Sequence, residues 1–281
     1  MKSLTELISS IYVLMMLCIV SIVGCADLSQ FSDDELQSED KIIGGENTRA
    51  PSWMVSLRSE GDHICGGSLV HQSWVLTAAH CVDAASPRQL TVCVGRKKRN
   101  RCRPQDVARV KQIKLHAGWN GEIYNANDIA LLKLDRPFAG VRLARLATEA
   151  QEPQTGQIVT VRGWGVHGYP NGIREIPNRL QRLDLPYVDS DDCRAIRSDL
   201  GYNFSQQNNL VCMENRGDPT APMAEQTSCS GDSGGPLTFR GVQVGIVSFG
   251  PKSSLGQCSA GAPNAYTRVS SYLNWINQRI K

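Results

Sequence analysis

Gly231-Asp232-Ser233-Gly234-Gly235-Pro236 sets a single serine among glycines. A backbone of that composition can approach a carbonyl closely and aim N–H groups at it. Taken alone, the segment is either a Gly-rich turn or the G-x-S-x-G elbow of α/β-hydrolases. The elbow needs a base histidine after its serine in chain order. His63, His71, His80, His116 and His167 are all 5 histidines, and every one precedes Ser233. The elbow is excluded. The reverse order works: Thr77-Ala78-Ala79-His80-Cys81 offers His80, and Asn127-Asp128-Ile129-Ala130-Leu131-Leu132 offers Asp128 at the mouth of an apolar strand. Each is ambiguous by itself. A lone histidine is more often a surface or packed residue, and an Asp before a strand is more often a turn residue.

The rest of the chain bounds the fold. With 281 residues, 41% hydrophobic and 20% charged, it can bury a full core. Its 25 glycines and 13 prolines show no three-residue period, which excludes collagen, and the hydrophobic content excludes disorder. Short β-type runs separated by turn residues recur at 53–58, 67–69, 74–78, 90–94, 129–134, 158–163 and 242–249. One amphipathic helix is expected at the C-terminus, where Tyr272, Leu273, Trp275, Ile276 and Ile280 share a face. Many short strands and one terminal helix read as a barrel or sandwich.

Charge separates a leader from a body. The net charge of the whole chain is +3, but residues 42–281 carry 28 bases against 20 acids, a net +8. Residues 26–41 hold Asp27, Asp33, Asp34, Glu35, Glu39 and Asp40 against Lys41 alone. Upstream, the uncharged stretch between Glu6 and Asp27, with an apolar run from Ile11 to Val20, reads as the core of a signal peptide. Two processing routes stay open. Gly24-Cys25-Ala26 suits an ordinary signal peptidase that releases Asp27, and Ile22-Val23-Gly24-Cys25 resembles a bacterial lipobox that would lipidate Cys25. Both export the body.

Export gives the cysteines their meaning. Cys18 and Cys25 lie in the leader, which leaves Cys65, Cys81, Cys93, Cys102, Cys193, Cys212, Cys229 and Cys258. An even set in an exported chain reads as disulfides, with about 105 connectivities open for eight cysteines. No pair has the C-x-x-C spacing of a zinc site, so no metal is expected.

Together the serine, histidine and aspartate segments resemble the chymotrypsin/trypsin family of serine proteases. Ile42-Ile43-Gly44-Gly45, Cys65-Gly66-Gly67-Ser68-Leu69, Gly163-Trp164-Gly165, Ser248-Phe249-Gly250 and the terminal Trp-Ile helix extend the likeness over residues 42–281. The fold it implies is all-β: two six-stranded antiparallel barrels with the active site between them and a C-terminal α-helix. It implies Ser233 as nucleophile, His80 as general base and then acid, and Asp128 as the group that orients His80. The N–H groups of Gly231 and Ser233 would form the oxyanion hole, and Ser248 would steady Asp128. No cofactor is expected.

The resemblance also implies a precursor of three parts: a signal peptide at 1–26, an acidic propeptide at 27–41 and the protease domain from Ile42. Cleavage after Lys41 would free an ammonium on Ile42 to pair with Asp232. It pairs Cys65 with Cys81, Cys193 with Cys212 and Cys229 with Cys258, leaving Cys93 and Cys102 for one another. Many relatives bind calcium in that last loop through acidic side chains. Here the loop holds Arg96, Lys97, Lys98, Arg99 and Arg101, so a calcium site is not expected. The cations are either a solvated surface or an exosite for an anionic partner. Protein or peptide substrates and an activating protease are the other expected partners, and nucleic acid is not one.

The family's pocket base lies six residues before the nucleophile, where an Asp selects Arg or Lys. That position is the neutral Thr227. Gly250 leaves one wall open, while Asn264 stands where relatives often carry glycine and is expected to reach toward Thr227 and Ser228. Cleavage after small or medium uncharged residues is expected, and cleavage after Arg or Lys is not. A catalytically silent protease-shaped binding protein is the competing reading.

Overall fold

The computed structural model describes residues 42–125, 127–199, 209–215, 224–260 and 262–280. Lys41, the rest of the leader and Cys25 lie outside the described residues. Thirteen strands run in chain order as β1 (Glu46–Asn47), β2 (Met54–Ser59), β3 (Asp62–His71), β4 (Trp74–Thr77), β5 (Leu90–Val94), β6 (Val107–Leu115), β7 (Ala130–Leu134), β8 (Ile158–Gly163), β9 (Gln181–Val188), β10 (Leu210–Met213), β11 (Pro236–Phe239), β12 (Val242–Phe249) and β13 (Asn264–Arg268). Among the described residues two α-helices accompany them, α1 (Ser190–Asp199) and α2 (Leu273–Arg279).

Strands β2-β3-β4-β7-β6-β5 close into one antiparallel barrel. The second follows the order β9-β10-β13-β12-β11-β8 and closes through β8 on β9, with the short β1 added outside β9. The expected pair of six-stranded barrels is therefore present. Each closes on its own apolar interior. Val55, Leu57, Leu69, Val75, Leu90 and Val92 fill the first, and Val159, Val161, Leu183, Leu185, Val211 and Leu237 fill the second. Closure removes the edges of the twelve barrel strands, and the one added strand, β1, is only two residues long.

Strands β5, β8 and β12 have the bounds the sequence pattern indicates, whereas β6 and β9 escape it. In β6 Arg109, Lys111 and Gln112 interrupt the apolar run, and in β9 Arg182, Asp184 and Pro186 do so. Both strands are partly buried: Arg109, Lys111 and Gln112 of β6 and Asp184 of β9 are exposed, while Gln181 at the start of β9 is buried. The terminal helix binds the halves together. Trp275 and Ile276 of α2, which follows β13 of the second barrel, pack with Trp74, Leu76 and Leu131 of the first.

Strand register positions the candidate site. β4 pairs with β7 so that Thr77 faces Ala130. The chain leaving Thr77 reaches His80 at the same end at which Asp128 enters β7. Gly66 of β3 donates its N–H to the Ser233 carbonyl at 2.7 Å, which ties the serine turn of the second barrel to the first. A Cβ on Gly66 would stand 2.7 Å from the Gly235 Cα, so this approach of two backbones requires glycine.

Candidate active site

Asp128 is fully buried and makes contacts on every side. His80 Nδ1 donates to Oδ2 at 2.7 Å, the His80 backbone N–H donates to Oδ1 at 2.9 Å, and Ser248 Oγ donates to Oδ2 at 2.6 Å. Thr267 Oγ1 holds the Asp128 carbonyl at 2.8 Å. A carboxylate can only accept, so the proton of a neutral His80 sits on Nδ1 and Nε2 keeps its lone pair. The His80 side chain is 24% exposed, enough for Nε2 to meet a ligand. Ser233 lines a neighbouring cavity of about 210 Å³ with Ser228, Ser248, Phe249 and Gly250. No hydrogen bond joins Ser233 Oγ to His80 among the described residues, an arrangement common in ligand-free sites that tighten on substrate.

The turn before Ser233 presents open donors. Asp232 N–H bonds the Cys229 carbonyl at 2.9 Å, and Gly234 N–H bonds Val247 at 2.8 Å. Among the described residues the N–H groups of Gly231 and Ser233, on either side of Asp232, donate to nothing in the protein, which leaves both for a ligand oxygen. Gly231 adopts φ +100°, and its Cα side lies against Gly165, where a Cβ would stand 3.1 Å from the Gly165 Cα. Both constraints call for glycine.

Asp232 turns the other way, into the interior. Its Oδ1 accepts from Gly165 N–H at 2.8 Å and its Oδ2 from Cys229 N–H at 2.9 Å. A side chain at Gly163 or Gly165 would collide with this carboxylate. Burial pushes the Asp232 carboxyl up to about 6, opposed by the two N–H bonds and by Lys252. Among the described residues no cation forms an ion pair with it. Ile42 is fully buried in the second core, its carbonyl accepting from Gly45 N–H at 2.5 Å, and Ile43 O accepts from Thr227 N–H at 3.1 Å.

Behind Gly250, which lines the cavity, stands the Asn264 amide. Asn264 Nδ2 donates to Thr227 Oγ1 at 2.5 Å, and its Oδ1 occupies the space a Gly250 side chain would take. Thr227 and Asn264 are both buried, and Ser228 Oγ meets Tyr266 Oη at 3.2 Å.

Disulfides join Cys65–Cys81, Cys93–Cys102, Cys193–Cys212 and Cys229–Cys258. Cys65, Cys81 and His80 cluster closely enough to suggest a metal site, but the two sulfurs are bonded to each other and offer no thiolate. In the basic loop Arg96 pairs with Asp106 at 2.5 Å and Arg99 Nε donates to the Pro177 carbonyl at 3.1 Å. Lys97 and Arg101 are exposed.

Two site residues carry no recognisable sequence signal. His63 Nε2 reaches Gly231, and Lys252 lines the cavity.

Two closed barrels with an Asp–His pair between them, its Asp buried, and a serine turn beside it define a chymotrypsin-type serine endopeptidase. The profile of the family described as Trypsin matches residues 42–276. The chain is 32% identical over 245 residues to trypsin alpha of Drosophila melanogaster, covering 85% of this chain and 88% of that one. It is 30% identical over 238 residues to brachyurin of Leptuca pugilator (84% and 96%) and 30% identical over 275 residues to trypsin Blo t 3 of Blomia tropicalis (94% and 97%). The chain belongs to the trypsin family and is a serine-type endopeptidase. Among the described residues no helix is long and apolar enough to cross a membrane.

Proposed function

We propose that this chain is an exported precursor which, once cut after Lys41, hydrolyses peptide bonds through Ser233, His80 and Asp128. The roles are those of the family's own triad, carried over residue by residue. The observation that carries the reading is the 2.7 Å bond from His80 Nδ1 to the buried Asp128, beside a turn that leaves the Gly231 and Ser233 N–H groups open.

The chemistry follows from those groups. Ser233 Oγ attacks the substrate carbonyl carbon as His80 Nε2 takes its proton, since a hydroxyl is too weak a nucleophile without a base. The carbonyl electron pair moves onto oxygen, where the two N–H groups receive it. Each such donor is worth about 10²–10³ in rate. Collapse of the intermediate breaks the C–N bond, and His80 returns its proton to the departing amine. Water, activated by His80, then hydrolyses the acyl ester on Ser233.

In the precursor reading, residues 1–26 direct export, with lipid attachment at Cys25 as the variant route, and residues 27–41 form the propeptide. Cleavage gives Ile42 an ammonium, and the buried Asp232, which lacks a cationic partner, is the counter-charge waiting for it. Removing one member of such a pair costs about 3–5 kcal/mol, so the turn bearing Gly231 and Ser233 is fixed only after cleavage. The pocket rejects Arg and Lys: its floor is the Asn264–Thr227 amide–hydroxyl pair, and an unpaired guanidinium there would be costly. Another protease must therefore make the cut at Lys41. The basic loop is proposed to draw in an anionic partner.

Labelling with an active-site phosphonate tests the catalytic reading. An adduct on Ser233 of the processed chain is expected. Its absence would favour a protease-shaped binding protein.

A further inference from the structure

Lys252 lies on the loop that runs from Gly250 to Cys258, and it lines the same cavity as Ser233, Ser228 and Gly250. The loop fixes its place. Lys252 pairs with Cys258 in an antiparallel bridge, Ser253 N–H bonds the Gln257 carbonyl at 2.8 Å, and Gly256 N–H bonds Ser253 at 2.9 Å. The residue is exposed, yet its ammonium does not extend into solvent. Nζ folds back over the Cys229–Cys258 disulfide, donating to Ser230 Oγ at 2.9 Å and lying 2.8 Å from Cys258 Sγ.

No carboxylate forms an ion pair with Lys252 among the described residues. Partial desolvation holds its ammonium below the usual lysine range, Arg174 adds to that effect, and Asp232 opposes it. Asp232 cannot serve as the missing partner, because it points inward onto Gly165 and Cys229. The remaining polar side chains of the lining are hydroxyls, from Tyr124, Ser228, Ser230, Ser233 and Ser248. The cavity is thus lined by apolar groups, hydroxyls and one cation, with no carboxylate among its lining residues. A substrate that enters strips more water from that cation and must supply its counter-charge.

We propose that Lys252 is a specificity-determining residue that selects an acidic side chain, Asp or Glu, immediately before the scissile bond. The inference rests on the endopeptidase reading above. An anion bound there would meet the Lys252 ammonium and the Ser230 hydroxyl together, and charge-assisted bonds of that kind are the stronger class. The same cation repels Arg and Lys.

The test uses peptides identical except for Glu, Gln, Asp, Asn or Ala before the cleaved bond, with the chain processed at Lys41. Glu is expected to exceed Gln by about tenfold in kcat/KM, the discrimination one charge-assisted contact gives. Lys252→Gln should bring that ratio close to one, and Lys252→Arg should keep it. A purely structural role for Lys252 would lower both substrates together and leave the ratio unchanged. Cleavage after Gln or Ala with no preference for Glu, or a preference that survives Lys252→Gln, overturns this inference alone. No cleavage of any peptide, with Ser233 unlabelled by phosphonate, overturns the endopeptidase reading and this inference with it.

Discussion

His63 Nε2 donates to the Gly231 carbonyl across 3.0 Å, which joins a strand of the first barrel to the turn that carries the nucleophile. A carbonyl only accepts, so Nδ1 is unprotonated and accepts from Ser56 Oγ at 2.8 Å. Burial lowers the His63 pKa to about 4, against the Gly231 bond, with Arg99 and Arg58 adding to the effect. One residue beyond Gly231, burial moves Asp232 the other way, up to about 6.

These two shifts have opposite signs in stability. His63, depressed from 6.5 to about 4, stabilises the fold above pH 6.5 and loses that contribution as the pH falls toward 4. Asp232, raised from 3.8 to about 6, opposes folding above pH 6 and relaxes as the pH falls. Each is worth about 3 kcal/mol at about 1.4 kcal/mol per pKa unit, so they nearly cancel in the uncleaved chain. His63→Gln removes one of them. Measured by urea unfolding, the stability of that variant relative to the native precursor should improve by about 3 kcal/mol between pH 6.5 and pH 4. A difference independent of pH would refute this account.

Asp128→Asn should leave the fold and KM nearly unchanged. The Asn amide cannot hold the same His80 tautomer, so kcat should fall by about 10⁴, the loss the family's triad shows on this change. Steady-state kinetics on any cleaved peptide reads the result, and a loss of less than tenfold would remove Asp128 from the triad.

Lys41→Gln should abolish the activity gained on trypsin treatment, because no ammonium then forms on Ile42. Intact mass identifies the start residue in the same samples. Unchanged activation would sink the precursor reading.

Asn264 and Thr227 can be tested together. Asn264→Gly opens the floor beside Gly250, and Thr227→Asp supplies a charge. The double variant should gain cleavage after Arg and Lys by about 10²-fold, as expected when a buried cation acquires its partner. Asn264→Gly alone should admit larger uncharged side chains. If a peptide library scan of the native enzyme is dominated by Arg or Lys, the pocket argument fails.

In the basic loop, Arg96 is held by Asp106 and Arg99 by Pro177, so Lys97 and Arg101 carry the exposed charge. Neutralising Lys97 and Arg101 should slow capture of acidic protein substrates at low salt and leave it unchanged when about 1 M salt shortens the screening length to about 3 Å. An equal effect on a short neutral peptide would exclude an exosite.

Local signals in the sequence alone carried an all-β reading, barrel or sandwich, together with the order of His80, Asp128 and Ser233 and the eight body cysteines; the choice of two barrels came from the resemblance to the family. Glycines around Ser233 mark a backbone only glycine can adopt, and short β-type runs mark strands. Chain order removed the competing hydrolase fold. The polar-rich strands β6 and β9 were hidden, since pairing across a closed barrel buries one face of a strand whose own pattern is weak. The site's finer chemistry was decided only by tertiary structure. Asn264 meets Thr227 across 37 residues, His63 meets Gly231 across 168, and Lys252 turns back over a disulfide to Ser230. A side chain's partner, and with it the charge left uncompensated beside the nucleophile, depends on which strands the barrels bring together, and no stretch of sequence records that distance.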